Sequence, residues 1–191
     1  MGLPAKKPPS PTPADLHALA LRRFVRGENV DMQALAAELG ISRATLYRWA
    51  GNAEELVGRV VAALGLETFR RCETEARGHG AARVLDVMER GMRATTSSKF
   101  YRAFLERDPQ KALRIVASKE GPVQAQTIAL HQQLLEEEKR RGHLKLPVDS
   151  HTMAYALVRI AESFLYADLI AGEHPDIDKA VEILKLMLRG A

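Results

Sequence analysis

The residues best suited to do chemistry in this chain lie between positions 32 and 49, MQALAAELGISRATLYRW. Ala36, Gly40 and Leu46 stand there at the spacing A-x3-G-x5-L. Two short helices crossing at a tight turn need a small residue at the crossing and a turn residue that tolerates positive φ. They also need an apolar residue on the second helix facing the first. These three positions supply all of that, with Leu35, Leu39 and Ile41 completing the wedge and Leu21 and Phe24 able to cover it. With Leu46 turned inward, the second helix presents Arg43, Ala44, Thr45, Tyr47, Arg48 and Trp49. Arginine can bind a phosphate or a guanine edge, the Thr and Tyr hydroxyls suit phosphate, and Ala44 suits a thymine methyl. Gln33 and Ser42 sit at the starts of the two helices, where free backbone amides attract anions. No acidic residue occurs between Glu38 and Glu54, so this face does not repel DNA. The expected DNA contacts are Gln33, Ser42, Arg43, Ala44, Thr45, Tyr47, Arg48 and Trp49. A plain helical hairpin, or a helical protein-interaction module without DNA binding, is the competing explanation. Neither gives a reason to display Arg, Thr, Tyr and Arg while excluding acids.

A second constellation lies near the C-terminus. Tyr155, Arg159, Glu162 and Tyr166 recur at spacings of four, three and four, hence on one helical face. One explanation is an intrahelical Arg–Glu pair facing solvent or a partner chain. The other is a polar strip lining a cavity for a small molecule, which would satisfy those groups. His131 could point at the same cavity, or be an ordinary core histidine. Phe69, Met88, Met92, Phe100, Tyr101 and Phe104 are candidate apolar walls and equally candidate core. The expected ligand set is Phe69, Met88, Met92, Tyr101, Phe104, His131, Tyr155, Arg159, Glu162 and Tyr166.

The elements that must carry these residues are all helical. From Ala14 onward the apolar residues keep the helical period, in about ten segments. The first stripe is Leu16, Leu19, Ala20, Phe24 and Val25, ending at Gly27. Asp31 caps a helix over 32–39 that stops at Gly40, and Ser42 caps one over 43–49. Asn52 and Glu55 form a capping-box pattern for a long helix to about Ala76. Further helices are expected at 81–95, 98–107, 109–117, 122–141, 150–171 and from Pro175-Asp176 to Arg189. Residues 1–13 hold five of the nine prolines and read as a flexible basic arm, with or without a role on DNA. The division expected is an arm at 1–13, a DNA-binding unit at 14–51 and a ligand-binding and dimerisation unit at 52–191. Gly58 and Gly65 weaken the helix joining the last two, which suits a bending lever; close packing is the alternative.

Composition narrows the remaining classes. The 191 residues are 46% hydrophobic, 27% charged and 5% aromatic, with a net charge of +4, which permits a polyanionic partner. An all-β fold is excluded. The single cysteine, Cys72, points to the reducing cytoplasm, and no metal or other cofactor is implied. No apolar run could cross a bilayer, so no membrane partner is expected. An enzyme is disfavoured: there is no Gly-rich phosphate loop, no G-x-S-x-G, no H-E-x-x-H and no convincing carboxylate pair.

Residues 15–60 resemble the N-terminal DNA-binding domain of the tetracycline-repressor (TetR) family. The stretch GISRATLYRWAGNAEELV is similar to that family's Gly-Val-Ser, two variable residues, Leu-Tyr, a short loop and Glu-Glu-Leu. Two positions depart from it. Ala50 replaces the usual aromatic, with Trp49 just before it, and Ala53 replaces a phosphate-binding lysine. The resemblance implies an all-α repressor that holds a palindromic double-stranded operator as a homodimer and is released by a small effector. It also implies that Thr45 and Tyr47 touch phosphates while Arg43, Ala44 and Arg48 read or steer toward bases. The last two helices, apolar on several sides, are the expected dimer seam. RIAESFLYADLIAG, with LYRWAGNAEEL, resembles the branch regulating quorum-signal lactonases, which implies a lactone-like or acyl-chain effector.

Overall fold

The computed structural model describes residues 10–118 and 121–189. Among these the chain forms helices and no strand: α1 (Pro13–Val25), α2 (Met32–Leu39), α3 (Arg43–Ala50), α4 (Ala53–Glu75), α5 (Ala81–Ser97), α6 (Lys99–Arg107), α7 (Pro109–Ala117), α8 (Pro122–Arg140), α9 (Ser150–Leu165), α10 (Ala167–Ile170) and α11 (Ile177–Met187). Short polar side chains set most of the starts. The side chains of Thr12, Asp31, Ser42, Asn52, Asp149 and Asp176 each accept a backbone N–H of the first turn. Gly40 ends α2 at φ 63°, a left-handed conformation that a side chain would strain.

Three expectations change. The proline-rich arm was expected to run to residue 13, but Pro13 is the first residue of α1. It needs no N–H there, and Thr12 caps it in a box with Asp15. Residues 1–9 lie outside the described residues. At Asn52 the Glu55 carboxylate accepts from the Asn52 side-chain amide at 2.6 Å, a variant of the expected box. The helix expected over 150–171 is two, because the backbone at Tyr166 (φ −111°, ψ 20°) leaves the helical path.

Burial follows two clusters. The first joins Leu16, Leu19, Ala20 and Phe24 of α1 to Leu35, Ala36 and Leu46 of the α2–α3 pair. It continues through Leu56 and Val60 of α4 into Ala112, Ile115 and Val116 of α7, and takes in Tyr166. The second holds Val84, Val87, Met88 and Met92 of α5 with Leu134, Leu135, Leu157, Val158, Ala180 and Leu184 of α8, α9 and α11. Helices α1, α2 and α3 therefore rest on α4, α6 and α7 without a break in the apolar packing. Val25, expected in the first stripe, is exposed. Gly58 is buried, where an added Cβ would stand 3.3 Å from the Pro122 ring, whereas Gly65 has open space around it. Among the described residues no helix is long and apolar enough to cross a membrane, and no group of His, Cys, Asp and Glu could hold a metal ion.

Candidate functional site

The α2–α3 pair assembles as its spacing requires. Leu46 and Ala50 are buried, and Ala36 lies at the crossing with its carbonyl taking the Ile41 N–H at 3.0 Å. The opposite face of α3 is open. Arg43, Ala44 and Arg48 are exposed, Tyr47 is 53% exposed, and Gln33 is exposed in the first turn of α2. Thr45 and Trp49 are half-buried, and Trp49 leans on the first core cluster. The hydroxyls of Ser42 and Thr45 lie 3.0 Å apart, and Ser42 Oγ also accepts the Thr45 N–H at 3.1 Å. Those two side chains thus already close the start of α3. Its far end is tied to α4, where the Arg59 guanidinium donates to the Ala50 carbonyl at 2.8 Å. A rigid helix, capped at one end and clamped at the other, holds Tyr47 and Arg48 toward solvent.

Beneath this head lies a cavity of about 620 Å³ between α1, α4, α5, α6, α8 and α9. Its walls are largely apolar, as small-molecule sites usually are, with few polar groups to orient an occupant. Phe69, Met88, Met92, Tyr101, His131, Glu162 and Tyr166 of the expected set line it. Phe104, Tyr155 and Arg159 do not. Phe104 packs on Phe24, ring centres 5.2 Å apart, at the seam between α6 and α1. Tyr155 and Arg159 face outward on α9, and the strip they begin turns inward only at its C-terminal end. Arg159 reaches Glu162 at 2.7 Å from the outer side.

The polar groups inside are few and specific. The hydroxyls of Tyr101 and Tyr166 lie 2.9 Å apart. Burial pushes the Tyr101 phenol up to about 12 and lifts Tyr166 well above its ordinary range. Burial likewise raises Glu162 and lowers His131, whose ring stands edge-on to Phe69 at 5.1 Å. His131 Nδ1 donates to the Thr127 carbonyl at 2.8 Å, which fixes the neutral tautomer.

Among the wall residues outside the expected set, two come from the DNA-binding head. Leu21 and Val25 belong to α1, the first helix of the head, yet both line the cavity. The sequence pattern alone places Leu21 over the α2–α3 wedge and Val25 in the first apolar stripe. Their spacing of four, offset from Leu16, Ala20 and Phe24, marks a second apolar edge on the same helix.

Similarity to known proteins accords with this geometry. Residues 79–189 match the family of tetracyclin repressor-like C-terminal domains. Among solved structures, the transcriptional repressor QsdR of R. erythropolis, from the TetR family, is 32% identical. It aligns over 93% of this chain and 94% of that one, with a TM-score of 0.89. The fatty acid degradation regulator FadR from Bacillus halodurans shares the fold at 14% identity, over 96% of each chain, with a TM-score of 0.55. No curated protein sequence matches the chain. A helix pair of the expected spacing, a family match over more than half the chain and a relative similar over 93% of it agree, and the chain belongs to the TetR family of transcriptional regulators.

Proposed function

We propose that this regulator is a cytoplasmic, dimeric repressor that leaves a palindromic operator when a small, largely apolar effector enters the cavity. The observation that carries the reading is the shared wall: Leu21 and Val25 of the DNA-binding head line the same cavity as Tyr101, His131 and Glu162. An occupant there touches α1 of the head directly, and α1 packs on α2, the partner of α3, so filling the cavity can be passed on to α3 through that chain of helices. In this reading Gln33, Arg43, Ala44, Thr45, Tyr47 and Arg48 face the duplex, with Ser42 and Trp49 holding their helix in place. The effector wall comprises Phe69, Met88, Met92, Tyr101, His131, Glu162 and Tyr166. The resemblance of the α9 region implies an acyl-chain or lactone-like effector; the apolar walls suit the chain, and the few polar groups decide the head group.

Dimerisation through the last two long helices, α9 and α11, would set the two heads apart by a fixed distance. Operators read by such pairs repeat at about one helical turn, 10–10.5 base pairs, or a multiple of it. The effector would favour a separation that no longer matches. The test is selection of duplexes from a random library by the full-length protein. A palindrome is expected, and Arg48→Ala should lose most of the affinity while staying folded, with a log-log salt slope reduced by about 1. Enrichment of a non-palindromic site, or normal binding by the variant, would overturn the reading.

A further inference from the structure

Resting on that reading of the cavity, we propose that its effector is an amphiphile whose head group donates hydrogen bonds, an amide or amine, rather than a carboxylate or a head that only accepts. The hydrogen-bonding capacity left over inside the cavity supports this. Thr127 Oγ1 already donates to the Val123 carbonyl and Thr95 Oγ1 to the Gly91 carbonyl, each at 2.8 Å, so neither hydrogen is spare. With His131 Nδ1 committed to the Thr127 carbonyl and burial keeping the ring neutral, Nε2 carries no hydrogen and can only accept. Glu162 Oε2 takes Arg159 at 2.7 Å and Gln124 at 3.3 Å, while Oε1 takes no hydrogen bond from the described residues. The Tyr101–Tyr166 pair keeps one hydrogen between its oxygens and leaves one to donate. The hydroxyls of Thr68 and Ser98 can act either way and do not discriminate. The groups left able only to accept are thus His131 Nε2, the half-buried Glu162 Oε1 and the Thr127 and Thr95 oxygens, against one free hydrogen of the tyrosine pair.

Charge points the same way. Arg159 meets Glu162 from outside and does not line the cavity, and Arg71 stands with Glu67 among the exposed wall residues. No buried cation is available to an anionic head group among the described residues. A carboxylate placed beside Glu162 would add a like charge in a desolvated site. An N–H head would instead meet Glu162 Oε1 or His131 Nε2, with its alkyl chain against Phe69, Met88 and Met92.

Four ligands with the same carbon count separate the possibilities: decylamine, decanamide, decalactone and decanoate, titrated calorimetrically into the full-length protein near neutral pH. The amine and amide are expected to bind at least about tenfold more tightly than the lactone and the acid, a difference of about 1.4 kcal/mol. In Glu162→Gln the amine should fall to within about threefold of decanoate, or roughly 0.7 kcal/mol, with the fold checked by circular dichroism. Decanoate or decalactone binding as tightly as decanamide to the unaltered protein would overturn the donor preference while leaving the cavity an effector site. Failure of all four to bind the folded protein would remove the effector site as well.

Discussion

At the scale of single residues, the two phenols in the cavity give this molecule a measurable response to alkali. Tyr101 ionises near 10.0 when unfolded and near 12 when folded, because burial disfavours the phenolate. Between those values the unfolded chain has lost a proton that the folded chain keeps. Stability is therefore whole below about pH 10 and falls as pH rises toward 12. Tyr166, raised for the same reason and coupled to Tyr101, adds to the fall. Tyr101→Phe removes one of the two titrations, and its thermal midpoint should fall less steeply across that window. An unchanged slope would mean that the Tyr101 phenol is solvated. Glu138 behaves in the opposite sense. It is wholly buried, yet it accepts the Gly80 N–H at 2.6 Å and Arg83 at 3.0 Å, and these partners outweigh burial and lower its pKa. Glu136, Glu137 and Glu138 stand in succession near the end of α8, beside Lys139 and Arg140. Periodicity alone does not distinguish the one glutamate of three that turns inward to meet a distant loop.

Among the elements, α6 is the natural carrier of a signal. Phe100 and Tyr101 on its first turn line the cavity, Phe104 packs on Phe24, and Arg107 at its end donates to the carbonyls of Gly27 and Glu28. One short helix thus touches the cavity, the body of α1 and the turn leading into α2. Arg107→Ala should keep the fold, since the side chain is exposed, and should bind both operator and ligand. The ligand concentration needed for release should rise about tenfold, the loss of roughly 1.4 kcal/mol of coupling. Fluorescence-monitored release of a labelled duplex by whichever decyl compound binds would measure it, and release at the normal concentration would rule out this latch. Sequence reasoning assigned the lever to α4 through Gly58 and Gly65. Gly58 is instead a packing glycine under Pro122, and only Gly65 stands free. Helix starts were legible because Asp31, Ser42, Asn52 and Asp149 act locally on their own first turns. The cavity was legible only in part. An apolar period shows that a residue such as Met88 or Phe104 faces inward, but whether it meets another side chain or empty space depends on helices far away in sequence.

For the molecule as a whole, the proposed dimer must hold its two heads at one separation, and that reading puts the seam on the outer faces of α9 and α11. α11 buries Ile177, Ala180 and Leu184, with Leu188 just past its end, inside its own protomer, yet leaves Ile183 36% and Leu186 52% exposed. α9 similarly leaves Tyr155 50% exposed beside Arg159. Apolar side chains left outside a core already satisfied by their neighbours are available to a second copy. Leu165, at the end of α9, instead lines the cavity and packs against both clusters. A charge there would disturb the effector site and the core together. Leu186→Glu is the cleaner probe. On the monomer it changes only an exposed position, so folding should be preserved. In a two-fold seam it would bury unpaired carboxylates, an effect of about 3–5 kcal/mol. Sedimentation should then give a monomer at concentrations where the unaltered protein is a dimer. Operator affinity should fall by a factor on the order of 10²–10⁴, because each head must then bind its half-site alone. A variant that sediments as a dimer and holds the operator normally would move the interface away from the outer face of α11.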